Sequence, residues 1–153
     1  MQPSLRALGI VTAALAYSAP LAQAQSAGYT SYRARLTPVP VETSTAASIT
    51  GSGVVMATLT GTRLSVSGTF SGMKSPATIA QVHLGPKGVR GPVEFDLMVE
   101  KGPGGTVSGS AMLTKVQVDS LRKGWFYIQI HAEKAPEGNL WGWLLPQPIT
   151  VTQ

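Results

Sequence analysis

The sequence predicts an all-β domain: a Greek-key sandwich or barrel of about eight short strands, with one short helix near 114–123. Three observations carry this. Short runs along the chain alternate apolar and polar side chains, the period of a half-buried strand. Gly 17 and Pro 11 in 153 residues fall largely between those runs, where they make turns. No long stretch has helical periodicity and no repeat of fixed period is present, so the strands must bury one another. The length fits one domain.

Residues 1–24 read as a secretory signal. Arg6 precedes the apolar run Ala7–Tyr17, and Ala22-Gln23-Ala24 has the small-x-small pattern of a signal peptidase site. That run is well short of the roughly twenty residues that span a bilayer, so no transmembrane segment is expected. Cleavage after Ala24 places the mature chain in the periplasm or outside the cell. Residues 25–30 are small and polar and read as a flexible lead into a domain over 31–148.

Ser31–Leu36 alternates and is ended by Pro38 and Pro40. Glu42–Gly53, rich in Ser, Thr, Ala and Gly, reads as a loop. Val54–Thr60 and Arg63–Phe70 flank Gly61-Thr62, the signature of a tight hairpin. Ala77–Leu84 and Val93–Val99 are strands on either side of the loop Gly85-Pro86-Lys87-Gly88-Val89-Arg90-Gly91-Pro92. Thr106–Leu113 is the next strand. Thr114 then caps a short helix with Val116, Val118 or Leu121 as apolar contacts and Gly124 as its stop. Trp125–His131 and Asn139–Leu145 close the domain around a turn at Pro136-Glu137-Gly138.

Composition excludes several classes of function. Cys 0 removes disulfides, thiolate metal sites and cysteine nucleophiles. His 2 excludes any metal enzyme needing several imidazoles. The net charge of +5 is scattered rather than clustered, and only 12% of residues are charged, which argues against a nucleic-acid partner. No Gly-x-Ser-x-Gly elbow is present and neither histidine lies in a nucleophilic motif, so no enzyme is expected.

Strand alternation assigns the faces. Phe126, Ile128 and Ile130 point inward, as do Ala80, Val82 and Leu84, and Leu140, Gly142 and Leu144. Val93, Phe95, Leu97 and Val99 share the inner side of their strand. The outer faces then carry Trp125, Tyr127, Gln129 and His131; Ile79, Gln81 and His83; Asn139, Trp141 and Trp143; and Glu94 and Asp96.

Three stretches together resemble the CHRD domain, over about Tyr32 to Leu145. Gln81–Val93 is similar to its histidine-bearing strand, glycine loop and following valine strand. Leu113–Leu121 with Gly124 is similar to the segment before its penultimate strand. Tyr127–His131, with Pro136-Glu137-Gly138 and Leu140-Trp141-Gly142, resembles its closing hairpin. The resemblance implies a sandwich or barrel of immunoglobulin-like or superoxide-dismutase-like character and little about activity. Gln81 stands where the family commonly has the first histidine of a His-x-His pair, and Trp141 and Trp143 stand where it usually has polar residues.

Two functional readings follow. If Trp125, Tyr127, Trp141 and Trp143 all face outward, they form an aromatic strip that packs on a protein or glycan partner, on a second copy of the chain or on a lipid headgroup layer. Under the alternative, a loop or second sheet covers them as a minor core. The first reading makes the protein a non-catalytic binding or structural-association module. The second functional reading is a periplasmic copper or zinc site built from His83 and His131 with Glu94 or Asp96, against simple hydrogen bonding of each histidine to a neighbouring loop. Lys87 and Arg90 in the glycine loop suggest an anion contact, against a purely turn-forming role for its glycines. Glu94 and Asp96 at i, i+2 have the look of a glycosidase pair, but more simply of a solvated strand face.

Overall fold

Alternation of Tyr32, Ala34 and Leu36 with Arg33 and Arg35 builds the first strand, β1 (Tyr29–Pro38), in a computed structural model that describes residues 29–148. β1 starts inside the segment read as a flexible lead, because Tyr29 and Thr30 pair with Thr60 and Leu59. The expected signal at 1–24 lies outside the described residues.

The chain continues through β2 (Ser52–Thr60), β3 (Arg63–Ser71), β4 (Ala77–Leu84), β5 (Val93–Val99), β6 (Gly105–Met112), helix α1 (Lys115–Arg122), β7 (Phe126–Ala132), β8 (Ala135–Trp143) and the two-residue β9 (Leu145–Pro146). The strand pairs are antiparallel, in the order β2-β3-β6-β5-β4-β7-β8-β1, and β1 pairs back to β2. The sheet therefore closes on itself as an eight-stranded Greek-key barrel, with the crossings at β3→β4 and β6→β7. Two of the joins that close it are short, β5–β6 and β1–β8 pairing through two residues each.

The inward faces meet as predicted. Tyr32, Leu36, Val55, Leu64, Val82, Phe126, Ile128, Ile130 and Leu140 are fully buried. Helix α1 sits in the β6→β7 crossing and inserts Val118 and Leu121 into the core, while Val116 stays exposed. Thr114 and Gln117 form a complete capping box, and Gly124 at φ +72° ends the helix. Among the described residues no helix is long and apolar enough to cross a membrane.

Two local readings are corrected. The turn between β7 and β8 is at Glu133-Lys134, and Pro136-Glu137-Gly138 belongs to β8. There the register jumps from Ala132 opposite Ala135 to Ile130 opposite Leu140, so four residues, Pro136–Asn139, stand opposite His131 alone. In β5, Val82 faces Phe95 but His83 faces Val93, which leaves Glu94 as an extra residue in a bulge. Val93 is consequently exposed rather than in the core.

Candidate functional site

The outer face of β4, β7 and β8 carries most of the residues singled out by sequence. Register arranges them in rows: His83–Tyr127–Trp143, then Gln81–Gln129–Trp141, then Ile79–His131. Side chains directly opposite in an antiparallel pair touch, so each row is a contact chain. The His83 ring stacks on Tyr127, with centroids 4.9 Å apart and 14° between planes. Tyr127 packs on Trp143 at 4.8 Å, and Trp143 on the edge of Trp141 at 4.7 Å.

The glycine loop folds back over this cluster. Gly91 makes the return: a Cβ at this position would lie 1.7 Å from the Leu84 carbonyl oxygen. The Gly91 N–H donates to the Tyr127 hydroxyl at 3.0 Å, and Trp143 Nε1–H donates to the Gly85 carbonyl at 2.9 Å. Tyr127 and Trp143 are thus buried, at 1% and 8% exposure, and the strip of four exposed rings does not form. Alternation put these two rings on the outer face of their strands, but a loop distant in register covers them as a minor core. Trp125 is exposed and stands apart, with the Lys123 ammonium 5.1 Å above its ring. Trp141 is partly buried and carries the Arg90 guanidinium 5.9 Å over its face. Arg90 also donates to the Glu137 carbonyl at 2.7 Å, tying the loop to the β8 bulge.

The two histidines come together, with ring centroids 6.5 Å apart. His83 Nδ1 lies 3.0 Å from the Gly91 carbonyl oxygen and His131 Nδ1 2.7 Å from that of Pro136. Burial pushes the His83 pKa below 6.5, more than the Gly91 bond raises it, with His131 and Arg90 adding to the depression. Its Nε2 is buried without a partner. The carboxylates do not join the histidines. Asp96 accepts from the Gln81 carboxamide at 2.8 Å, and the β5 bulge turns Glu94 to Gln117 of α1. Among the described residues no three His, Cys, Asp or Glu side chains form a metal-holding group. Glu94 and Asp96 are thus engaged by different elements, α1 and β4.

Beside Trp141 lies an open groove of about 550 Å³. Arg33 and Arg35 of β1 form one wall, Lys87 and Gly88 of the glycine loop another, and Trp141 with Gly142 the floor. No carboxylate lines it, and the ion pair found among the described residues is Arg122–Asp119, far from it in sequence. Arg33 and Arg35 were not singled out as site residues. The signal was present: Tyr32, Ala34 and Leu36 facing inward forces both arginines onto one outer face, about 7 Å apart.

A family model described as the CHRD domain matches residues 17–144. Neither the curated proteins nor the solved structures yielded a match.

Proposed function

Because the chain belongs to the CHRD domain family, we propose that it is a non-catalytic binding module whose ligand is an acidic glycan held in the groove beside Trp141. The observation that carries this reading is the lining: three cations, Arg33, Arg35 and Lys87, line one groove together with Trp141, with no carboxylate among them. Guanidinium groups grip carboxylates and sulfates in bidentate fashion. Aromatic rings pack on the apolar faces of sugars, so the combination selects a sugar bearing negative charge over a neutral one. Two arginines about 7 Å apart along one strand suit an oligomer that repeats its charge. The buried Tyr127 ring acts in this reading as a support for Trp141, and Trp143 adds to the groove lining beside it. The secretory pattern of residues 1–24 supports the reading, since acidic polysaccharides are met outside the cytoplasm.

Titration calorimetry with a galacturonate tetrasaccharide tests it, with the neutral galactose tetrasaccharide as comparator. Binding of the acidic oligomer alone is expected, weakening as salt rises from about 0.05 M to 0.3 M. Trp141→Ala and Arg35→Ala each lower the affinity at least about tenfold, or 1.4 kcal/mol. Absence of binding up to about 1 mM, roughly 4 kcal/mol of affinity, overturns the reading, as does equal binding of the neutral oligomer. Sedimentation of the free chain is expected to show a monomer; a dimer lost in Arg35→Ala would assign the groove to a second copy instead.

A further inference from the structure

The binding module leaves the chain's two histidines unused; each bonds a neighbouring loop carbonyl through Nδ1, which leaves the function of the opposite nitrogens open. A carbonyl oxygen only accepts, so the contacts to Gly91 and Pro136 require that both Nδ1 atoms carry the ring proton. Both Nε2 atoms then present a lone pair. An imidazole whose Nδ1–H is fixed by a carbonyl is the form in which proteins hold a metal-ligating histidine. His83 is 7% exposed and its Nε2 has no hydrogen-bond partner, an orphan that folded proteins rarely keep without a use. His131 Nε2 meets the Gln129 carboxamide at 3.4 Å, a long contact. Gln129 lies in the row between the two histidines and already donates to Glu137, so His131 Nε2 is aimed toward the His83 row.

We propose that His83 and His131 form a two-nitrogen site for a soft monovalent cation, Cu(I), bound between their Nε2 atoms. The separation fits. With a metal–nitrogen bond of about 2.0 Å, and nitrogen about 1.1 Å from each ring centroid, a linear site with both Nε2 atoms on the line between the rings sets the centroids about 6.2 Å apart. The observed value is 6.5 Å, whereas a tetrahedral angle would draw them in to about 5 Å on the same bond lengths. The donor set points the same way. Asp96 and Glu94 are engaged elsewhere, and no third His, Cys, Asp or Glu joins the pair among the described residues, so zinc or divalent copper lacks its usual complement. A single charge is also easier to bury than a double one beside the Arg90 guanidinium, which is held on Trp141 and Glu137. Access is through His131, which is only partly buried.

Anaerobic titration of the purified chain with Cu(I) held by bicinchoninate tests this. The chain is expected to withdraw one Cu(I), and the X-ray absorption edge to report two nitrogen neighbours. His131→Ala weakens binding at least about tenfold, while Asp96→Asn leaves it within twofold. Redox-inert Ag(I), added to the wild-type chain, is expected to shift the imidazole ¹⁵N resonances of both Nε2 atoms, a readout that does not depend on any variant folding. Failure to withdraw copper, silver that leaves either Nε2 unmoved, or loss of binding in Asp96→Asn overturns the proposal. Trp141→Ala retains copper binding, so the glycan site and the metal site fail or succeed separately.

Discussion

His83 concentrates the physical tension of the molecule in one side chain. It is buried between the Tyr127 ring and the glycine loop, donates through Nδ1 to Gly91, and faces His131 and Arg90, both of which disfavour its charge. Its folded pKa lies below 6.5, with burial as the main cause. The unfolded chain takes up that proton near pH 6.5 and the folded chain only at lower pH, so between the two the unfolded state binds more protons. Stability contributed by neutral His83 is therefore present above about pH 6.5 and is lost as pH falls below it. The guanidinium midpoint of metal-free protein is expected to decline from about pH 7 to 5.5, and His83→Gln to flatten that decline even where it lowers the midpoint throughout. A wild-type midpoint that stays level across the window contradicts this. Alternation alone places both histidines on outer faces, so that much is legible in the sequence, whereas their proximity comes from the β4–β7 pairing. The withdrawal of Glu94 was not, because it depends on one extra residue in β5 whose cause is pairing with a strand elsewhere in the chain.

The elements follow their local sequence closely where the code is local. The β2–β3 hairpin turns at Gly61-Thr62, α1 starts at the Thr114 capping box, and β4 and β5 run Ala77–Leu84 and Val93–Val99 as alternation predicts. Pro136-Glu137-Gly138 reads locally as a turn and is instead a bulge, because its carbonyls are taken by Arg90, Gln129 and His131. Such bonds come from outside the segment and leave no mark within it. The glycine loop is the same case at larger scale. Period-2 reasoning says which side of a strand Tyr127 and Trp143 occupy, yet nothing in their own strands says that Gly85–Gly91 lies over them. The loop's dependence on Gly91 gives a test. A Cβ there would meet the Leu84 carbonyl carbon at 2.7 Å as well as its oxygen, so Gly91→Ala must displace the loop and is expected to lower stability by about 1–3 kcal/mol. Trp143 loses its cover, and tryptophan emission shifts to the red at native far-ultraviolet circular dichroism. Unchanged emission would mean that the loop does not depend on this approach.

On the scale of the whole molecule, one seam does two jobs. The barrel closes where Thr37 and Pro38 of β1 meet Trp141 and Leu140 of β8, a short junction between strands at opposite ends of the described sequence. The same junction makes the groove, since Arg33 and Arg35 come from β1 and Trp141 from β8. Gly142 permits the approach: a Cβ there would stand 2.4 Å from the Arg35 carbonyl oxygen and 3.1 Å from the Leu36 side chain. Both neighbours are held, one as backbone and the other in the fully buried core, so neither can give cheaply. Gly142→Ala is therefore expected to push β1 off β8. The denaturant midpoint falls by the equivalent of about 1–3 kcal/mol, and binding of the acidic oligosaccharide falls with it because the arginines no longer face Trp141. Cu(I) binding, which rests on β4, β7 and the β8 bulge, is retained at temperatures where the variant is folded. Calorimetry and copper titration on the same preparation separate the outcomes. A variant destabilised as expected but with wild-type oligosaccharide affinity would show that the closure seam and the ligand groove are independent, and that Arg33 and Arg35 do not act with Trp141.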